Sequence, residues 1–258
     1  MVNTAVIGFP RIGVKRELKK ASESYWKGNI SATELQDTAR KLRLRHWQLM
    51  AEQGIANIPC GDFSLYDLML DTCAMVGAIP PRYNWQLTSG EVDLDTYFAM
   101  ARGSQTDKIN AVAMEMTKWF DTNYHYIVPE LTKDQQFKLS DTKVIDHFKE
   151  AKQAGINAVR PVIIGIATFL KLAKGEFNKV ATAKALTIIY KQVLLQLKEA
   201  GATAIQIDEP IFALDLDEHD KQVLQQVYTD LADAGLDITI TNYFGAYGDG
   251  ENLKLALS

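Results

Sequence analysis

Two cysteines, Cys60 and Cys73, and four histidines are all the 258-residue chain offers toward a soft-metal centre or a disulfide framework. No C-x-x-C pair and no His-x-x-x-His run accompanies them, so neither a zinc site nor a stapled secreted scaffold is indicated. The two thiols read as reduced and partly buried. No apolar run approaches the ~20 residues that a membrane-spanning helix needs. The leading stretch MVNTAVIGFP has neither a charged n-region nor a small-residue cleavage site. A cytoplasmic protein without a membrane partner is expected. There is also no excess of one charge: 28 Lys and Arg stand against 32 Asp and Glu, a net charge of −4, which argues against a nucleic-acid partner. Any anion site must therefore be local. A G-x-G-x-x-G turn is missing after the first apolar run, which weakens a dinucleotide reading.

What is present is a soluble composition, 47% hydrophobic and 23% charged, on a chain long enough for one barrel-sized domain. Four joints share one grammar. At Gly54, Gly155, Gly201 and Gly235 a long amphipathic stretch stops at glycine and a short apolar or β-branched run follows. Glycine just past a helix is the common stop, and short apolar runs bounded by turns suit buried parallel strands. Helix starts are marked too. Ser31-Ala32-Thr33-Glu34 spells a capping box, and Leu35, Leu42, Trp47 and Leu49 after it can share one broad face. Ser140 or Asp141 offers an N-cap for the next helix, and acidic residues open the one that stops at Gly235.

Adding TAVIGFP at the front and NYHYIVP near residue 125 gives about six strands, most of them separated by helical segments. Alternation of this kind implies an α/β fold with a parallel sheet and right-handed crossovers, either a (β/α)8 TIM-type barrel or an open doubly wound sheet. The barrel is preferred. A closed barrel needs eight strands, so residues 1–258 are expected to be an incomplete barrel domain, truncated after about the sixth strand. Two uncovered edges would then favour self-association or strand borrowing.

In a parallel barrel, chemistry gathers at the carboxyl ends of the strands. Asp208-Glu209-Pro210 places carboxylates at such an end, as a glycoside hydrolase would with a partner such as Asp62. Hydrogen bonding to nearby loop amides is the commoner role. His125, between two tyrosines, reads as a satisfied structural histidine, and His46, His147 and His219 lie in helical segments without a second ligand nearby. The stretch GFPRIGVKRELKKA is more specific, because Lys15, Arg16, Lys19 and Lys20 crowd the start of a helix whose dipole disfavours cations. On a helix starting after Gly13 they project together around the first-turn N–H groups, a ready anion site. A solvated charged face accounts for them equally well. Lys118, beside Trp119 and Phe120, reads either as a ligand contact or as a lysine covering aromatic surface.

Taken together, GFPRIGVKRELKKASESYWKG, LRLRHWQLMAEQGIANIPCGDFSLYD, EMTKWFDTNYHYIVPE and IQIDEP resemble the amino-terminal half of cobalamin-independent methionine synthase. The resemblance runs from residue 4 to the end. It implies two (β/α)8 barrels face to face in the full-length enzyme, which moves a methyl group from 5-methyltetrahydropteroyltri-L-glutamate to L-homocysteine to form L-methionine. It also implies that the catalytic carboxy-terminal barrel, absent here, carries the zinc and the homocysteine site, so this segment is expected to hold no zinc and to be inactive alone. Arg16, Glu17, Leu18 and Lys19, with Lys118, are implied as the amino-terminal contribution to the folate-polyglutamate site. Such a tail is a string of carboxylates, which Arg and Lys can pair through charge-assisted hydrogen bonds. Two other readings stand beside this one: a structural buttress for the catalytic barrel, or an independent hydrolase using Glu209.

Overall fold

The computed structural model describes residues 4–247 and 250–257. In chain order its elements begin with α1 (Glu17–Trp26), α2 (Ala32–Glu52), β1 (Ile58–Cys60), α3 (Leu68–Val76), α4 (Leu94–Arg102), β2 (Ser104–Gln105) and β3 (Asn110–Ala111). They continue with β4 (Met116–Lys118), β5 (His125–Ile127), β6 (Glu130–Leu131), α5 (Lys143–Gln153), β7 (Val159–Ile164), α6 (Ile166–Leu172) and β8 (Lys174–Gly175). The last are α7 (Lys179–Glu199), β9 (Ala204–Asp208), α8 (Glu218–Ala232), β10 (Asp237–Thr241) and α9 (Glu251–Leu257). The chain divides into two compact units, residues 1–65 with 144–162 and residues 66–143 with 163–258.

The first unit is built on α2. Ser31 accepts from the Glu34 N–H while Glu34 accepts from the Ser31 N–H at 2.7 Å, so the expected capping box is formed. Leu35, Ala39, Leu42, His46, Trp47 and Met50 make its buried stripe. Leu49, expected on that face, is 46% exposed and lies at the stripe's edge. Leu18 of α1 packs into a cluster with Ala39, Leu42 and Phe63. Trp47 donates its indole N–H to Pro59 O at 3.1 Å, fixing α2 against β1. Arg43 of α2 pairs with Glu150 of α5 at 2.8 Å. β1 runs parallel to β7, Ile58 opposite Val159 and Cys60 opposite Pro161.

In the second unit β9 and β10 pair in parallel from Ala204–Asp237 to Asp208–Thr241. α7 and α8 bury Leu186, Val193, Leu197, Val223, Val227 and Leu231. Tyr190 donates to Ile164 O at 2.7 Å, anchoring α7 to the end of β7. Lys171 and Lys179 both pair with the buried carboxylate of Asp220, the latter at 2.8 Å, which ties α6 and α7 to α8.

Two expected strands differ. TAVIGFP forms only an isolated bridge, Ala5 with Asn57, because Pro10 has no N–H to donate and the segment then turns through Gly13, whose φ is 82°. NYHYIVP does supply β5, but β5 pairs antiparallel with β4 just upstream, Lys118 opposite His125. It is therefore half of a hairpin. Among the described residues the fold is mixed α/β with parallel ladders, and they form no closed barrel. The four glycine stops are present: Gly54, Gly155, Gly201 and Gly235 each follow a helix with φ between 69° and 95°.

Candidate functional site

The cationic head of α1 starts later than its spacing predicts. The helix begins at Glu17, and Arg16 is its N-cap in a left-handed conformation, φ 60° and ψ 36°, with no side-chain cap. Lys15 thus precedes the helix. Part of the expected ring of open N–H groups is satisfied by the chain itself. Lys15 N donates to Glu17 Oε2 at 2.8 Å, Arg16 N to Gly13 O at 3.0 Å and Leu18 N to Ile12 O at 3.2 Å. Glu17 supplies the negative charge favoured at this helix end.

The side chains then separate by role. Leu18 is 2% exposed and anchors the helix in the core. Glu17 Oε1 meets Arg45 Nη1, brought from α2, at 3.3 Å. Its carboxyl stays below the usual range, held there first by its own backbone N–H, with burial opposing and Lys15 N–H and Arg45 adding to the effect. Lys19 pairs with Glu23 at 3.5 Å, both about half exposed. Arg16 and Lys20 are exposed and make no ion pair among the described residues. Arg45 is the residue that sequence reasoning missed. It is 28 positions from Glu17, and no local pattern links them.

Lys118 lies in the second unit at the end of β4, exposed and without an ion pair among the described residues. The turn beyond it is tight: Trp119 N donates to Tyr124 O at 2.7 Å, and Phe120 has φ 51°. Trp119 packs edge-on against Phe120 and Tyr126, at 5.0 and 5.4 Å. That aromatic wedge holds the hairpin and so fixes the base of Lys118. His125 faces solvent, with Nδ1 in contact with Asn123 O at 3.0 Å, a local partner such as a structural histidine has.

The carboxylates at the end of β9 are engaged in structure. Glu209, fully buried, accepts from Ala167 N at 3.2 Å, Thr168 N at 2.7 Å, the Thr168 hydroxyl and Tyr228 OH at 3.0 Å. It caps α6. Burial pushes its carboxyl up to about 7 against the pull of those donors. Asp208 accepts from Gln206 Nε2 at 2.7 Å and from the Thr241 hydroxyl. In the first unit Asp62 accepts from Phe9 N at 2.9 Å and holds the leading segment. The hydrolase reading thus loses its acid, because a glycosidase acid must present its proton to substrate.

Among the described residues no cluster of three or more His, Cys, Asp and Glu side chains is disposed to hold a metal ion. Cys60 and Cys73 are fully buried, and burial, reinforced by nearby carboxylates, pushes both thiols well up. Such thiols do not fit a zinc-binding role, which needs thiolates. No helix among the described residues is long and apolar enough to cross a membrane.

Residues 3–257 match the family described as cobalamin-independent synthase, N-terminal domain. A Mesorhizobium japonicum protein named 5-methyltetrahydropteroyltriglutamate–homocysteine methyltransferase is 50% identical over 273 residues, covering 98% of this chain and 34% of its own length. A Salinibacter ruber protein of the same name is 48% identical over 266 residues, covering all of this chain and 34% of its own. A rice protein whose name adds the number 1 is 47% identical over 247 residues. The chain therefore spans about a third of the length of these relatives. A solved structure from Listeria monocytogenes, described as a candidate vitamin-B12-independent methionine synthase, superposes with a TM-score of 0.60 at 14% identity, covering 96% of this chain and 66% of that one. At that identity the likeness speaks for the fold alone.

Proposed function

The chain belongs to the cobalamin-independent synthase family as its N-terminal domain, and from that premise we propose that it is the amino-terminal part of a methyltransferase that makes methionine from homocysteine and 5-methyltetrahydropteroyltriglutamate. The observation that carries this reading is the near-50% identity, spread over the whole chain, to proteins named for that reaction. The remaining two-thirds of such a protein would be this segment's principal partner and would hold the homocysteine site and the zinc. No step is assigned to zinc within this segment. A full-length enzyme working in the cytoplasm completes the reading.

This segment's contribution is recognition of the folate's glutamate tail. Arg16, Lys19 and Lys118 are its cationic contacts, Leu18 fixes the helix that carries the first two, and Glu17 belongs to the same turn. Arg16 supports this because it is exposed and unpaired among the described residues, and its guanidinium can take a carboxylate in a two-point grip. The Lys19–Glu23 pair is what a purely structural role would predict. It is half exposed, and surface pairs of this kind contribute only ~0–1 kcal/mol, so a ligand carboxylate can replace Glu23 at little cost.

The test is methionine formation by the full-length protein with triglutamate and monoglutamate methyl donors. A clear preference for the longer tail is expected. Absence of methyl transfer to homocysteine would overturn the enzymatic reading, and equal use of both donors would overturn the tail-binding reading.

A further inference from the structure

We propose that Glu17 is a positioning residue of the cationic site, acting through Arg16 and Arg45 and making no contact with the ligand. The inference rests on the reading that Arg16 and Lys19 bind the folate tail. A carboxylate among lysines and arginines is the wrong charge to touch a polycarboxylate, since like charges at contact repel. Its geometry explains its presence. Both oxygens are engaged within the protein, Oε2 by Lys15 N–H at 2.8 Å and Oε1 by Arg45 at 3.3 Å.

The Lys15 contact closes the turn in which Arg16 adopts φ 60° and ψ 36°, a region that L-residues other than Asn and Asp seldom enter, and the Arg45 contact ties that turn to α2. The same turn is closed from the other side by Arg16 N donating to Gly13 O at 3.0 Å. Gly13 itself has φ 82°, and a Cβ there would overlap Glu17 Oε2 and lie 2.9 Å from Leu42 Cδ2. The folded-back carboxylate thus occupies the space that glycine leaves. Without it Lys15 N–H loses its acceptor, and the turn that holds Arg16 in its strained conformation keeps only the Arg16 N–Gly13 O bond. Arg45 is held at the turn by the same carboxylate, with its guanidinium half exposed.

The neutral isostere separates positioning from charge. In Glu17→Gln the amide oxygen can still accept from Lys15 N–H, whereas Glu17→Ala removes the acceptor. The full-length enzyme is titrated with pteroyltriglutamate and pteroylmonoglutamate, and the ratio of the two affinities is read. Glu17→Ala is expected to lower that ratio about fivefold, equivalent to ~1 kcal/mol, with monoglutamate affinity unchanged. Glu17→Gln should stay within about twofold of wild type, as expected where the hydrogen bond matters more than the charge. Gly13→Ala should reproduce the Glu17→Ala result by displacing the same carboxylate. A ratio that rises in both Glu17 variants, or falls equally in both, overturns the inference. Arg16→Ala with Lys19→Ala is the control. If it leaves the ratio unchanged, the tail-binding reading fails and takes this inference with it; if it lowers the ratio while Glu17→Ala does not, only this inference fails.

Discussion

The carboxyl group of Glu209 occupies the space that a side chain on Gly165 would need, for a Cβ built there overlaps it directly. Position 165 has an ordinary extended backbone, φ −75° and ψ 152°. The requirement for glycine is therefore one of room. Gly165→Ala should push Glu209 off the N–H groups of Ala167 and Thr168, adding overpacking of ~1–3 kcal/mol to buried hydrogen bonds that each cost ~1–3 kcal/mol to lose. A drop in the urea midpoint of that order is expected, and a change below ~1 kcal/mol would show that α6 does not depend on this cap.

The same carboxyl sets a pH dependence. Glu209 rises from 4.5 to about 7 and Asp67 from 3.8 to about 7, both chiefly through burial, and Asp141 rises to about 6 for the same reason. A raised acid pKa means that the folded chain still holds a proton that the unfolded chain has released. The stabilisation is complete below the unfolded values and is lost as pH climbs through 6 to 7. Each group contributes a slope of at most ~1.4 kcal/mol per pH unit. Denaturant midpoints should fall between pH 5 and pH 8, and Glu209→Gln should flatten that fall even though it lowers the midpoint itself.

Much of this scaffold was legible in the sequence because its signals are local. The stops at Gly54, Gly155, Gly201 and Gly235 need φ near 80°, which glycine alone adopts freely, and the Ser31–Glu34 box closes within one turn. The cap on α6 comes instead from Glu209, 41 residues beyond Thr168, and Glu17 finds Arg45 across 28 positions. Neither pairing has a periodicity to reveal it. The leading TAVIGFP and the NYHYIVP run misled for a related reason: apolar β-branched composition marks strand preference but does not say which partner a strand finds. In NYHYIVP the nearest partner won, as Met116–Lys118 folds back on it through the Trp119–Tyr124 turn.

Thiol chemistry should report the burial of both cysteines. Cys60 and Cys73 are 0% exposed and their thiols are pushed up, so little thiolate is present near neutrality. A thiol-specific chromophore is expected to label neither in the folded chain and both in urea. Fast labelling of either in native buffer would show that its shell opens readily, and stoichiometric zinc by elemental analysis would reverse the view of the donor set.

Leu18 and Arg16 are two residues apart and should fail in different ways. Leu18 is 2% exposed against Ala39, Leu42 and Phe63, so Leu18→Ala should cost ~2–5 kcal/mol by leaving a cavity. Arg16 is exposed and unpaired among the described residues, so Arg16→Ala should change stability by no more than ~0.5 kcal/mol. Comparable losses in urea would mean that the arginine is part of the fold.

The functional consequence is read in the full-length enzyme. Arg16→Ala with Lys19→Ala should weaken binding of the triglutamate folate on the order of tenfold relative to a monoglutamate analogue, since charged hydrogen bonds contribute ~1.5–3 kcal/mol each before screening. Both side chains are solvent-exposed. The difference should therefore shrink as ionic strength rises and the Debye length falls from ~10 Å at 0.1 M toward ~3 Å at 1 M. Lys118→Ala should act in the same direction and with the same salt dependence if it meets the same tail. A double variant that keeps its preference for longer tails at every salt concentration would turn the cluster into a helix-surface feature. The N-terminal part would then serve its enzyme as a buttress, with no ligand contact of its own.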